Sequence, residues 1–238
     1  MEVKNIMIQI SKDESFTVVC NIRTPNMWGT ENVGTGLFVC KDSKAYLVTA
    51  AHVSIKTNNA SYIILCDKLN NPVRRDLIKL NKTLSWKNHP VEDISTLEID
   101  CISNADILYQ RCFPYEQIEF NVSNISRDDE LTSVGFPNGL GALGKFSPFT
   151  FRSHISSSEI TLNRADTNTP AIFLCLENPS VGGYSGGPIF DLGIMKIGVM
   201  KSSQGPTRLI GIMHGTISDN TGGKIAALTP ALYLKDII

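Results

Sequence analysis

The stretch Gly182-Gly183-Tyr184-Ser185-Gly186-Gly187-Pro188-Ile189 sets a hydroxyl between glycines. Such a string reads as a sharp turn that pushes the serine oxygen outward. Gly183 can take backbone angles closed to other residues, so the amides of Gly183 and Ser185 can point the same way. Two convergent amides beside a nucleophilic oxygen are what an oxyanion hole requires. Two further stretches could serve that nucleophile. Leu47-Val48-Thr49-Ala50-Ala51-His52 is an apolar run that ends in small residues and an imidazole, with room beside it for a nucleophile and a substrate. His89-Pro90-Val91-Glu92-Asp93-Ile94 puts a carboxylate at the entry to an alternating strand, where it could orient the imidazole and stabilise the imidazolium. Alone, Ser185 could sit in a plain glycine loop, His52 could be half-buried packing, and Asp93 could cap a strand. In the chain order His, Asp, Ser they describe acyl transfer to Ser185, with His52 as base and Asp93 as its orienter. Asp106 is the rival acid; its distance to Ser185 in the chain is the shorter and its flanking strand the weaker.

The elements that must position these groups read as strands. Segments 16–22, 35–40, 45–49, 61–66, 76–80 and 94–99 are short, rich in β-branched or aromatic residues, and separated by Asn, Gly, Pro and Asp. They form a first lobe, residues 1–115, that carries His52 and Asp93. Segment 113–129 is less periodic and is expected to connect the lobes. The second lobe, residues 116–238, carries Ser185 on strands within 131–135, 150–155, 171–175, 188–191, 194–200, 208–217 and 224–228. Thr229-Pro230 is expected to open a closing helix over 230–237, with the Thr229 hydroxyl as cap and proline at the first helical position. The spacing is that of an all-β chain.

With these motifs in place, the chain resembles trypsin-like (chymotrypsin-fold) serine peptidases, and in motif pattern most of all the protease domains of bacterial HtrA-type enzymes. The residues that carry the resemblance are Gly34-Thr35-Gly36-Leu37-Phe38-Val39, the run from Leu47 to His52, Asp93-Ile94-Ser95-Thr96-Leu97, Val134-Gly135-Phe136-Pro137 and the octapeptide at Ser185. The resemblance implies two six-stranded antiparallel β-barrels with a short C-terminal helix, an active site in the cleft between them, and serine endopeptidase activity on protein or peptide substrates. It places the substrate's P1 side chain between two walls, Pro179-Ser180-Val181 and Gly211-Ile212-Met213-His214. Segment 198–201 has rival spacing for the second wall. Pro179 stands six residues before Ser185, where trypsin carries an aspartate, so no charge selects arginine or lysine. His214 has three readings: it bonds a polar P1 group, it supports Asp93, or it is a solvated histidine at a strand end.

Tyr184 replaces the aspartate that zymogen-type members pair with a newly cut N-terminus, which argues against activation by N-terminal cleavage. Restraint is expected instead from the glycine-rich loop 138–145, which in the family borders and can gate the oxyanion hole, from a regulatory partner, or from narrow specificity. Segment 191–206 reads as an extra hairpin, and Met27-Trp28 as either a partner contact or a packing cap. A peptide-binding module without turnover and an ester-preferring acyl hydrolase are the other classes these residues allow.

Composition narrows the field further. The 238 residues carry a net charge of −1 with 22 Lys+Arg and 23 Asp+Glu, and no dense basic cluster recommends a nucleic-acid or anionic-membrane surface. No run approaches the roughly 18 apolar residues of a membrane span. Residues 1–10 have neither an apolar core nor a cleavage site of a secretory signal, so a cytoplasmic location is expected if Met1 is the native start. The six cysteines follow no disulfide framework and are expected to be buried free thiols. Val53 follows His52 where many secreted members carry a disulfide cysteine. Neither a cofactor nor a metal is expected, because the four histidines stand far apart in the chain. The sequence leaves the oligomeric state undetermined.

Overall fold

A computed structural model of the chain describes residues 15–238 except 68, 109–110, 165, 198–199, 204 and 219; the expectation for residues 1–10 lies outside them. The chain forms two antiparallel sheets that curl around separate cores. The first holds β1 (Val19–Pro25), β2 (Glu31–Lys41), β3 (Lys44–Thr49), β4 (Tyr62–Cys66), β5 (Pro72–Asp76), β6 (Lys87–Asn88), β7 (Ser95–Ile99) and β8 (Phe113–Pro114). Its order is β5-β4-β1-β2-β3-β7-β6, with β8 pairing in parallel with β2. The second holds β9 (Leu131–Gly135), β10 (Phe149–Ser153), β11 (Ile160–Asn163), β12 (Pro170–Leu176), β13 (Pro188–Asp191), β16 (Arg208–Ser218) and β17 (Lys224–Pro230), in the order β10-β9-β13-β16-β17-β12-β11. β14 (Ile194–Ile197) and β15 (Met200–Ser203) make a separate hairpin, as the long 191–206 segment suggests.

Alternation along the strands builds the cores. Ile22, Phe38, Leu47, Ile63, Leu65 and Leu97 close the inside of the first sheet. Leu131, Leu174, Tyr184, Ile189, Ile210 and Leu228 fill the second. A third cluster joins the two, with Leu37, Val48 and Phe113 from the first sheet against Val134, Phe136, Phe190 and Leu209 from the second. The Phe113 and Phe190 rings meet at 5.2 Å between centroids. Burying such side chains is worth about 1.5–3 kcal/mol each. The joint between the sheets is therefore a packed core, and it holds the two halves of the site in register.

Some local expectations differ from what forms. Segment 76–80 is not a strand: β5 ends at Asp76, and Leu77–Leu80 is a turn of helix, α2, that buries Leu77 and Leu80. The Thr229 hydroxyl caps nothing. β17 runs through Thr229 and Pro230, the hydroxyl donates to the carbonyl of Asp93 at 3.4 Å, and the closing element is a 3-10 helix, Ala231–Asp236. β11 had no expected counterpart. Cys20, Cys66 and Cys175 are buried free thiols, whereas Cys40, Cys101 and Cys112 are free and only half-buried. Met27 and Trp28 pack against nothing that covers them: they are 94% and 85% exposed at the tip of the β1–β2 hairpin.

Candidate active site

β3 delivers His52. The strand ends at Thr49, and the chain turns through buried Ala50 and Ala51 into a single helical turn, α1 (Ala51–Ser54), on which His52 is half-buried beside the intersheet cleft. Asp93 stands two residues before β7 and is fully buried. The two meet twice: the His52 backbone N–H donates to Asp93 Oδ1 at 2.9 Å, and His52 Nδ1 lies 2.7 Å from Oδ2. Two residues of the second sheet reach the same carboxylate. His214 of β16 brings Nδ1 to Oδ2 at 2.5 Å. Arg164, in the loop between β11 and β12, donates Nη2 to Oδ1 at 3.2 Å and is itself braced by Asp166 and the Val91 carbonyl. Burial alone would raise the Asp93 carboxyl; the hydrogen bonds from His214 and His52 outweigh it and hold the group well below the usual carboxylate range. An ionised carboxylate only accepts, so both imidazoles donate to it through Nδ1, an arrangement that in a neutral His52 ring makes Nε2 the acceptor. Next door, burial pushes the Glu92 carboxyl up, against the opposing effect of the Ile172 amide that donates to it.

The Ser185 turn hangs between the sheets. Its backbone carbonyls from Gly182 to Ser185 and its amides from Gly183 to Gly187 can be taken in order. The Gly182 carbonyl accepts from the Asn138 amide at 2.6 Å, and the Gly183 carbonyl accepts from Thr35 Oγ1 at 2.7 Å. The Tyr184 carbonyl accepts from Gly187, and the Ser185 carbonyl from the Thr35 amide of β2. Among the amides, Tyr184 donates to Val181, Gly186 to Met213 and Gly187 to Tyr184. The amides of Gly183 and Ser185 have no acceptor among the described residues. In a planar trans peptide the N–H points opposite to the C=O, so each of these two amides is turned away from the groups that hold its carbonyl. Gly183 has φ +94°, and a Cβ there would lie 2.2 Å from the Phe136 carbonyl, so the position admits glycine alone. Ser185 Oγ donates to the His214 carbonyl at 3.0 Å.

His52, Gly183 and Ser185 line one cleft of about 220 Å³ with Gly182, Ile22, Val33 and Val53, and Lys56 also borders it. None of Pro179, Ser180, Val181, Gly211, Ile212, Met213 or His214 lines that cleft. Ile212 and Met213 are buried in the cores, and Thr216 Oγ1, two residues beyond the second expected wall, bonds the Ser180 carbonyl of the first at 2.6 Å. His214 is buried, which removes its reading as a solvated strand-end histidine. Asp106 pairs with Arg75 on an exposed face of α3 (Ala105–Leu108). Tyr184 is fully buried, stacks on Phe151 at 5.1 Å, and has no hydrogen-bond partner for its hydroxyl among the described residues.

The histidines that stand far apart in the chain are not all apart in space. His52 and His214 meet at 5.4 Å between ring centroids, and their nitrogens and an Asp93 oxygen lie within 4.8 Å of one another. Hydrogen bonding of both rings to the Asp93 carboxylate already accounts for the arrangement.

A family model described as a trypsin-like peptidase domain matches residues 34–199. The chain belongs to that family. The trypsin-like peptidases are serine hydrolases, and this peptidase has their two-sheet fold. Among solved structures, it aligns with the MamO protease domain from Magnetospirillum magneticum at 15% identity and TM-score 0.60, covering 94% of this chain and 97% of that one. The Rv3671c protease of M. tuberculosis in its active form gives 17% identity and TM-score 0.60, with 93% and 79% covered. A variant of the HtrA-type protease AlgW with a tripeptide gives 18% identity and TM-score 0.57, and the peptidase spans 93% of its own length but 59% of that chain. At these identities the likeness is one of fold. No curated protein matches the chain. Among the described residues no helix is long and apolar enough to cross a membrane.

Arg164 and the Asn138 amide escaped the sequence reading. Arg164 follows a strand that was itself not expected, and nothing local marks it. Asn138 stood in the expected gating loop, whose glycines were the only available signal.

Proposed function

We propose that the peptidase is a serine endopeptidase acting through Ser185, His52 and Asp93, with the amides of Gly183 and Ser185 as the oxyanion hole. The observation that carries this reading is the set of amides in the turn: those of Tyr184, Gly186 and Gly187 each have an acceptor, and the two beside Ser185 Oγ, those of Gly183 and Ser185, have none among the described residues. Rotation about the Ser185 χ1 bond moves its hydroxyl from the His214 carbonyl towards His52 Nε2. Oγ then attacks the peptide carbonyl carbon while its proton passes to Nε2. The developing O⁻ takes the two free N–H groups, each worth about 3–4 kcal/mol of barrier. Collapse breaks the C–N bond, and His52 hands the proton to the departing amine. Water, deprotonated by His52, then hydrolyses the acyl-serine.

A protein or peptide substrate would lie extended along β16 near residues 215–216, adding a strand to the sheet, with a modest or apolar P1 side chain held near Ser180 and Val181. Six free thiols suit a reducing, intracellular compartment. A second reading, a gated or silent site that a partner switches on, is favoured by one observation: the Ser185 hydroxyl is turned to a backbone carbonyl.

Labelling with a fluorophosphonate, read by intact mass on the wild type, Ser185→Ala and His52→Ala, tests the proposal. One adduct on the wild type that both substitutions abolish is expected. A well-folded wild type that takes no adduct would favour the gated site, and an adduct that survives in Ser185→Ala would refute the assignment.

A further inference from the structure

We infer that Arg23 is a positioning residue for the oxyanion hole, holding from the first sheet the loop that fixes the Gly182–Gly183 peptide of the second; the inference rests on the reading of Ser185 as the nucleophile. That peptide is oriented on its carbonyl side by one donor, the Asn138 amide at 2.6 Å. Half a turn of the plane would send the Gly182 carbonyl into the cleft and the Gly183 N–H out of it, leaving one oxyanion donor where two are needed. The place of Asn138 therefore decides whether the hole exists.

Asn138 is held in an uncommon conformation. Its φ is +51° and that of Gly139 is +76°, two consecutive left-handed residues, the first not a glycine. Within the loop, the Gly139 amide bonds the Phe136 carbonyl and the Leu140 amide that of Pro137. From outside, Arg23 Nη2 donates to the Gly139 carbonyl at 3.0 Å, across 116 residues of sequence.

The guanidinium is aimed by its own sheet. Nε donates to Asn21 Oδ1 at 2.7 Å and Nη1 to Glu31 Oε2 at 2.8 Å. Asn21 is anchored on the Gly34 carbonyl, and Tyr62 donates to the other oxygen of Glu31. With two edges pinned, the third nitrogen points where β1, β2 and β4 set it. Gly139 gives the space: a Cβ there would lie 2.6 Å from Arg23 Nη2. The chain of contacts runs Tyr62, Glu31, Arg23, Gly139, Asn138, Gly182, and ends on the Gly183 amide. A lysine could reach the Gly139 carbonyl but, as a single donor point, could not be braced on Asn21 and Glu31 together.

The test compares the full chain as wild type, Arg23→Gln, Arg23→Lys, Gly139→Ala and Ser185→Ala on one peptide amide substrate, with the affinity of a peptide boronate and the melting temperature as further readouts. The tetrahedral boronate places an oxygen in the hole, so its affinity follows the hole and not ground-state binding. Arg23→Gln is expected to lower kcat by about tenfold to a hundredfold, less than deleting an oxyanion donor outright, with KM within about twofold and boronate affinity falling in step. Arg23→Lys should recover part of the loss, and Gly139→Ala should reproduce it with the arginine still present. Unchanged kcat in Arg23→Gln, or a loss of activity that tracks melting temperature with boronate affinity intact, overturns the role of Arg23 alone. Turnover that persists in Ser185→Ala overturns the reading of the nucleophile, and this inference with it.

Discussion

One carboxylate, Asp93, accepts from four donors on two sheets, and one hydroxyl, on the residue just before Ser185, has no partner among the described residues. The contrast separates what the site needs from what the core tolerates. Asp93 is costly to bury, and its donors offset that cost. Tyr184 occupies the core of the second sheet through its ring, against Phe151, while its hydroxyl lies buried without a partner among the described residues. A buried polar group left unpaired costs about 1–3 kcal/mol. Tyr184→Phe keeps the ring and removes the orphan, so the urea midpoint should rise by an amount worth about 1 kcal/mol, with Ser185 labelling unaffected, because Tyr184 serves the turn only through its backbone. A fall in the midpoint would show that the hydroxyl has a partner, such as an internal water.

At the scale of elements, β2 of the first sheet carries the Ser185 turn. Thr35 alone supplies three bonds: its amide to the Ser185 carbonyl, its hydroxyl to the Gly183 carbonyl, and the same oxygen accepting from the Phe136 amide at 3.3 Å. Thr35→Val preserves shape and strips the hydroxyl, leaving two buried backbone groups unmet. Stability should fall by about 1–3 kcal/mol and kcat should fall with it, whereas Thr35→Ser should restore both; an unchanged urea midpoint in Thr35→Val would refute the role. Such bonds mark the limit of what the sequence reveals. The Ser185 turn was legible because glycine spacing encodes a backbone conformation locally, and His52 and Asp93 because small residues and an alternating strand flank them. Arg164 and His214 reach Asp93 across 71 and 121 residues, through the packing of two sheets; no local pattern marks Arg164, and support of Asp93 was one of three open readings of His214. The helical turn at Leu77–Leu80 was missed for a related reason: four apolar and polar residues fit either period, and the burial of Leu77 and Leu80 decides between them.

Across the whole molecule, the Asp93 carboxylate is also a joint. Asp93 and His52 come from the first sheet and Arg164 and His214 from the second, so one ionised group ties the halves together. Its carboxyl is held below the ordinary range in the folded chain, so the folded state binds its proton less readily than the unfolded one. The stability this contributes is fully present above the ordinary aspartate value near pH 4 and is lost as pH falls further towards the folded value, at about 1.4 kcal/mol per pH unit. Glu92 has the opposite sign. Its raised carboxyl contributes stability that is fully present below the ordinary glutamate value of about 4.3 and lost as pH rises through the folded one, so the two windows adjoin and do not cancel. Urea midpoints of the wild type and Asp93→Asn between pH 7 and pH 2.5 separate them. The substitution should lower stability at neutral pH, where Arg164 and two histidines lose their anion, and should flatten the descent below pH 4. Parallel curves for the two proteins would mean that the sheets are held by their apolar joint alone, with Asp93 serving the imidazole and nothing larger.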